Sequence, residues 1–167
     1  MSGERERRRG MLLIDIMITL AVLGIVLLAV LPSTRPEEHV KLVGVASMLA
    51  ADVEYAQSAT LADPGEPTVV VFRADGTGYR LASASDPATA IDRPGDDDPW
   101  EVTFGEGELR PFGGVTIRAT DIEGDVLEFD GFGRLTQELD GVVRVSGAAG
   151  GLRVTVRADT GTVAIGE

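Results

Sequence analysis

The sequence predicts an α+β protein in which a long N-terminal helix packs on an antiparallel β-sheet head. The first half of this helix is expected to span a membrane and the second half to be amphipathic. Three observations predict the fold. Residues 11–31 form an apolar run, residues 42–56 repeat apolar side chains at helical spacing, and the chain from residue 67 onward alternates apolar and polar residues between Gly- and Asp-rich turns.

The apolar run is 21 residues long and carries one charge, Asp15. At about 1.5 Å per helical residue it extends roughly 30 Å, which is the thickness of a bilayer's hydrocarbon core. Residues 1–10 contribute four Arg ahead of the run, and cationic flanks stay on the cytoplasmic side. We therefore expect a single-pass protein of the cytoplasmic (inner) membrane, with a cytoplasmic N-terminus and a periplasmic or extracellular head.

A second helical segment follows Pro32, which lacks a backbone N–H and must kink or break the helix. Thr34 and Glu37 have the spacing of a capping box, and Asp63-Pro64-Gly65 ends the segment. One face of this predicted amphipathic helix is apolar and consists of Leu42, Val45, Ala46, Leu49, Val53 and Ala56.

The remaining chain is typical of a β-rich head. Asp75-Gly76 between two apolar runs is a hairpin signal. Alternation is clearest at residues 115–120 and 152–159, where every second side chain is apolar, so each strand has one buried face. The predicted strands are 68–73, 79–82, 115–120, 126–130, 142–146, 152–159 and 162–165.

Composition excludes several classes of function. The chain has no cysteine and a net charge of −12, and the sequence shows no basic stripe, so we expect no nucleic-acid partner. His39 is the only histidine, and no nucleophile elbow, phosphate-binding loop or zinc motif occurs. The sequence therefore predicts neither an enzyme nor a cofactor.

An acidic loop offers one alternative to this conclusion. Asp96, Asp97 and Asp98, with Asp92 nearby, supply oxygen ligands of the kind that Ca²⁺ takes. Their spacing does not match an EF-hand, so the choice is between a weak calcium site and a solvated loop. Trp100 beside this loop is either a packing anchor or a ligand platform.

The N-terminal stretch resembles the prepilin signature of type IV pilins and type II secretion pseudopilins. In that pattern a basic leader and Gly10 precede an apolar helix that starts at Met11, with an acid at its fifth residue, Asp15, and Pro32 at its twenty-second. Family members mostly have Phe and Glu where this chain has Met11 and Asp15. The layout is thus kept, with a shorter acidic side chain.

The resemblance implies processing and assembly. Prepilin peptidase would cut between Gly10 and Met11 and methylate the Met11 nitrogen. Removing four Arg and two Glu changes the net charge from −12 to −14. Asp15 would then pair with the N-terminal amine of a neighbouring subunit. The alternative for Asp15 is a bond to its own helix terminus. Pro32 would be a helix kink.

The C-terminal third resembles the head of H-type minor pseudopilins, the GspH/FimT family, in which a Phe-Asp-turn-Gly-Arg hairpin precedes a closing strand with Thr-Gly. The corresponding residues here are Phe129, Asp130, Gly133, Arg134, Thr160 and Gly161. The implied division is a leader at 1–10, a transmembrane helix at 11–31, a stem helix at 32–62 and a periplasmic head at 63–167.

The resemblance implies a structural subunit of a type II secretion or type IV pilus-like filament. Its partners would be prepilin peptidase, other pilin or pseudopilin subunits, the inner-membrane assembly platform and the membrane. The alternative is an uncleaved signal-anchor protein whose extracytoplasmic β-rich domain binds a partner on its own.

Overall fold

The computed structural model describes residues 16–23 and 35–167. Residues 16–23 are helical and belong to one unit, whereas residues 35–167 form a second, compact unit. This second unit contains helix α1, which runs Arg35–Ala62, and is completed by two antiparallel sheets.

Helix α1 begins and ends where local chemistry dictates. Glu37 and Glu38 lie in its first turn, where carboxylates interact favourably with the positive end of the helix dipole. The helix ends just before Asp63-Pro64, because the residue before a proline is disfavoured in the helical conformation. The Asp63 carboxylate then accepts a hydrogen bond from the backbone N–H of Gly65 at 3.1 Å, which closes the turn.

The strands divide into two sheets. Their bounds are β1 Thr68–Phe72, β2 Gly78–Ser83, β3 Asp86–Ala90, β4 Glu101–Thr103, β5 Thr116–Thr120, β6 Val126–Leu127, β7 Gly141–Gly147, β8 Gly150–Val156 and β9 Val163–Gly166. The first sheet has the order β3-β2-β1-β6, and β4 also pairs with β2; the second has the order β5-β7-β8-β9. Short 3₁₀ turns occupy Gly107–Phe112 and Glu123–Asp125.

The core lies where α1 meets both sheets. Helix α1 contacts β1 of the first sheet and β7, β8 and β9 of the second. The six residues predicted to form its apolar face are all buried, and the inward positions of the strands meet them. The largest fully buried side chains of the strands and their connections are Tyr79, Leu81, Leu127 and Phe129. Thr60 is also buried, and its hydroxyl accepts a hydrogen bond from the backbone N–H of Thr68 at 3.0 Å. This bond joins the end of α1 to β1.

The predicted long N-terminal helix is wrong. Helix α1 has 28 residues, and charged side chains such as Glu38, Lys41 and Glu54 interrupt its apolar residues, so it has no apolar stretch long enough to span a membrane. The helical stretch 16–23 covers about 12 Å at the usual helical rise. The second error is the single sheet: the head strands divide between two sheets that share the helix.

The predicted location is also wrong. Of the helices within residues 16–23 and 35–167, none is both long enough and apolar enough to cross a membrane. This finding overturns the predicted single-pass protein of the inner membrane with its head in the periplasm.

Candidate functional site

The residues that the prepilin motif assigns to processing and assembly lie outside the described residues. These are Gly10, Met11, Asp15 and Pro32, and Thr34 of the predicted capping box falls there too. The structure therefore provides contacts for α1 and for the head, but not for the motif residues.

The beginning of α1 extends beyond the core. Among the side chains described for the helix, Leu42 is the first that is buried. Before it, Lys41 and Glu38 form an ion pair at 2.6 Å on the surface. Val40 and Val43 are apolar yet remain 68% and 41% exposed. The first turns of α1 thus carry apolar side chains that this unit does not cover.

The predicted Phe-Asp-turn-Gly-Arg hairpin is organised by Asp130. Phe129 is fully buried, and the Asp130 carboxylate accepts hydrogen bonds from the backbone N–H groups of Phe132 at 2.9 Å and Arg134 at 3.0 Å. The Arg134 guanidinium pairs with the same carboxylate at 2.8 Å. The backbone N–H of Arg134 holds the pKa of Asp130 below its usual range, so the carboxylate stays ionised in this turn.

Gln57 of α1 connects this hairpin to the predicted Thr-Gly turn. Its amide nitrogen donates to the carbonyl oxygens of Gly133 at 2.6 Å and Thr160 at 3.1 Å. Gly161 lies against the same contact with a φ of +66°, and a Cβ there would be 2.1 Å from the Gln57 nitrogen and 2.2 Å from the Gly133 oxygen. Three of the residues that carry the H-type resemblance, Gly133, Thr160 and Gly161, therefore meet at one side chain of the helix.

A groove of about 730 Å³ lies between α1 and the loops around β4. Met48, Trp100 and Leu109 supply its apolar part. Five carboxylates and one guanidinium also line it, from Asp52, Asp98, Glu101, Glu106, Glu108 and Arg93. The groove is thus a predominantly acidic surface with an aromatic side chain in its wall.

Asp52 is the half-buried carboxylate of this groove. Its carboxylate accepts hydrogen bonds from the Tyr79 hydroxyl at 2.6 Å and from the Trp100 indole N–H at 3.3 Å. Burial raises the pKa of Asp52, against the lowering effects of these two donors and of the Arg93 charge. Burial also raises the pKa of Tyr79 well above its usual value, so the phenol keeps the proton that it donates.

Trp100 anchors the acidic loop by packing. Its ring lies on Tyr55 with 4.4 Å between centroids, and the Arg93 guanidinium lies 5.7 Å from its centroid. One turn of the loop is closed by the backbone N–H of Arg93, which donates to the Asp98 carbonyl at 3.0 Å. The predicted anchor role fits these contacts, and Trp100 also lines the groove.

Among the described residues, the structure shows no arrangement of ligands for the weak calcium alternative. Asp96, Asp97 and Asp98 are exposed on the loop. Across the two described ranges, no three His, Cys, Asp or Glu side chains are arranged so that they could hold a metal ion. The loop carboxylates are therefore not brought together as a ligand set.

Sequence reasoning missed Gln57, Asp52 and Tyr79. Gln57 and Asp52 each adjoin a buried residue of α1, Ala56 and Val53. A polar residue at the border of an apolar helix face is a weak signal, because spacing alone does not say what lies opposite. Tyr79 lies in a predicted strand, but the sequence does not reveal its partner.

No protein-family model, no curated protein and no solved structure matches this chain. Function is therefore inferred from the sequence motifs and from the contacts of the described residues.

Replacing Gly161 by Ala tests the contact at Gln57. Gly124 has a φ of +65°, almost the same as Gly161, but a Cβ added to Gly124 would have nothing within 4 Å of it. Gly124→Ala should cost about 1–2 kcal/mol for the left-handed conformation alone. Gly161→Ala adds a collision with a backbone carbonyl, so its total cost should be about 3 kcal/mol or more. Urea unfolding of both variants measures the difference, and equal costs would contradict the close approach.

Asp52→Asn tests the electrostatics of the groove. A carboxyl whose pKa is raised in the folded state destabilises the protein as the pH rises through that pKa. The variant should therefore gain stability relative to the original chain as the pH rises from about 3 to about 7. Denaturant unfolding at several pH values measures this trend.

Asp75→Asn is the matched control for that trend. Hydrogen bonds from the backbone N–H and the hydroxyl of Thr77 lower the pKa of Asp75. This variant should lose stability relative to the original chain as the pH rises over the acid range, the opposite sign. A flat difference for Asp52→Asn would show that burial does not govern its carboxyl.

Proposed function

We propose that this chain is a structural subunit of a filament of the pilin type, as in a type II secretion pseudopilus or a type IV pilus. In this function Gly10 and Met11 are the cleavage point for prepilin peptidase, and the new Met11 nitrogen is methylated. The observation that carries the proposal is the course of α1. The helix follows the prepilin motif directly, begins outside the core, and is then held along its inner face by both sheets.

Attachment of α1 to both sheets suits a subunit that transmits force along a filament. A filament segment must transmit force to its head without the head swinging, so the joining helix needs more than one point of attachment. Leu42, Val45 and Leu49 attach α1 through the core, whereas Gln57 and Thr60 attach its end through hydrogen bonds to the turns and to β1. These contacts support a rigid head on a fixed helix.

The contact at Gln57 supports the finer proposal of an H-type minor pseudopilin. Asp130 fixes the first turn, and the amide of Gln57 binds that turn and the Thr160 turn together. The residues of the H-type resemblance would then serve one purpose, which is to attach two turns of the head to the helix. Its partners would be other pilin or pseudopilin subunits and the assembly platform of the machine.

Asp15 has the assembly role in this proposal. Its carboxylate would pair with the methylated N-terminal amine of a neighbouring subunit. A buried pair of this kind enforces register, because removing one partner leaves the other charge uncompensated.

Processing is tested by intact-mass measurement of the full chain expressed with and without active prepilin peptidase. We expect a product that begins at methylated Met11 only when the peptidase is present. Gly10→Val should block the cut because it places a branched side chain at the cleavage point, whereas Gly3→Val in the same leader should not. An intact chain beside a peptidase that cuts another prepilin in the same cells would contradict the proposal. It would favour an uncleaved protein whose head binds a partner on its own.

Incorporation tests the role of Asp15. Stranding one charge of a buried pair costs about 3–5 kcal/mol, so Asp15→Ala should lower the amount recovered in sheared filaments at least tenfold. Its processing should be unchanged. Asp15→Glu, which keeps the carboxylate, is the matched control and should be incorporated. Normal incorporation of Asp15→Ala would remove this residue from the mechanism.

A further inference from the structure

Three arginines stand side by side on the outer face of the second sheet. In the register of the sheet Arg118 of β5 is directly opposite Arg144 of β7, and Arg144 is directly opposite Arg153 of β8. All three side chains are exposed. Directly opposite residues on adjacent strands are about 5 Å apart, so three guanidinium groups share a narrow strip. We call Arg118, Arg144 and Arg153 the arginine row.

The arginine row lacks compensating charge. Within residues 16–23 and 35–167, none of its members has an ion pair. By contrast, Arg157 further along the chain pairs with Asp159 at 3.2 Å. The outward positions of β5, β7, β8 and β9 hold no carboxylate, although the chain has 27 acidic residues. Glu167, which follows β9, is the one acid that borders the small pocket beside Arg144 and Arg153.

Like charges placed directly opposite one another destabilise a sheet. A row of three with no acid among them is therefore suited to an external anion. The position opposite Arg153 on β9 is Gly166, which has no side chain to cover the guanidinium. The row is thus open to a partner that supplies several carboxylates at once.

The acidic groove of the same head has the complementary chemistry. Asp98, Glu106 and Glu108 line it and form no ion pair with any described residue. Three unpaired carboxylates there match three unpaired guanidinium groups in the row. Helix α1 lines the groove and packs on the inner face of the sheet whose outer face carries the row. A chain cannot therefore bring its own row into its own groove.

We infer that the arginine row of one copy of this chain docks into the acidic groove of a second copy. The row cannot pair with another row, because the charges repel, so the contact joins two different surfaces. Head-to-tail contacts of this type propagate into rings or open filaments. The inference deepens the proposed function, on which it rests for its setting, by naming the contact between neighbouring heads.

A nucleic acid fits the row less well. Three guanidinium groups neutralise few phosphates, and the net charge of −12 repels a polyanion. The outward positions of the four strands also hold no aromatic side chain on which a base could stack. Duplex DNA is therefore kept as a competing outcome of the test.

The test is disulfide trapping between purified full chains, since the chain has no cysteine of its own. One chain carries Thr155→Cys, which lies two residues from Arg153 on the outer face, and the other carries Thr103→Cys in the groove. Oxidation by copper phenanthroline in air should link this pair at least about tenfold more than a control pair of Thr155→Cys with Ser85→Cys. The yield should fall steeply with salt, because the charges are exposed.

Charge reversal shows whether the row causes the link. Reversing the row to Glu at all three positions should lower the yield at least about tenfold. Mixing that chain with one whose Asp98, Glu106 and Glu108 are replaced by Lys should restore it. Replacing all three arginines of the row by Lys keeps the positive charge, so this variant should still form the link. Thermal unfolding confirms that each variant is folded.

Arg144→Glu alone should also lower the yield, and Arg110→Glu is its matched single control. It makes the same change in net charge but lies in the 3₁₀ turn beside the groove, so it should not weaken the link. An unchanged yield after row reversal would overturn the inference, as would equal linking of the control pair. Retardation of duplex DNA by the original chain but not by the row-reversed chain, without any link, would also overturn it in favour of nucleic acid. Cleavage at Gly10 is measured separately, so failure of either proposal leaves the other's result readable.

Discussion

The fold depends on the burial of one face of α1 against two sheets at once. Each sheet has an apolar face toward the core, and α1 packs against both sheets. Leu49 and Val53 are completely buried in this position, and full burial of such a side chain is worth about 1.5–3 kcal/mol. Neither sheet could exclude water from its inner face if the helix were withdrawn. The helix is therefore the shared core element of the head.

Polar contacts then fix where along the helix the sheets attach. Apolar packing alone tolerates small sliding, whereas the amide of Gln57 must reach two carbonyl oxygens that belong to separate turns. Thr60 adds a second fixed point, because its hydroxyl accepts from and donates to the backbone of Thr68. Both contacts lie in the last turns of α1. The end of the helix is thus locked to the head, while its beginning leaves the core with exposed apolar residues.

The sequence allowed the helix face and the faces of the longer strands to be predicted, because both depend on local periodicity. Val143, Val145 and Val154 are buried at alternate positions, as the period of a strand requires. The number of sheets could not be predicted, because it depends on which strands pair. β3 illustrates this limit, since the exposed segment Asp86–Ala90 shows no alternation and yet pairs with β2.

The candidate sites had the same limit. Alternation places Arg118, Arg144 and Arg153 on outward positions, but only the register of three strands brings them into line. The sequence therefore showed no basic stripe where the structure has a basic row. In the same way, the groove draws on α1 and on loops about fifty residues further along the chain, and no spacing rule joins Asp52 to Trp100.

The arginine row also gives the proposed contact between neighbouring heads a direction, because it joins two different surfaces. An isolated head carries three like charges opposite one another at a cost of a few tenths to about 1 kcal/mol for each adjacent pair. That cost is relieved when carboxylates approach, so a partner that supplies them stabilises the folded head by mass action. Exposed charge pairs are individually weak, but subunits already held side by side meet at a high effective concentration. Under that condition a contact too weak to join free chains is sufficient to orient each head relative to the next.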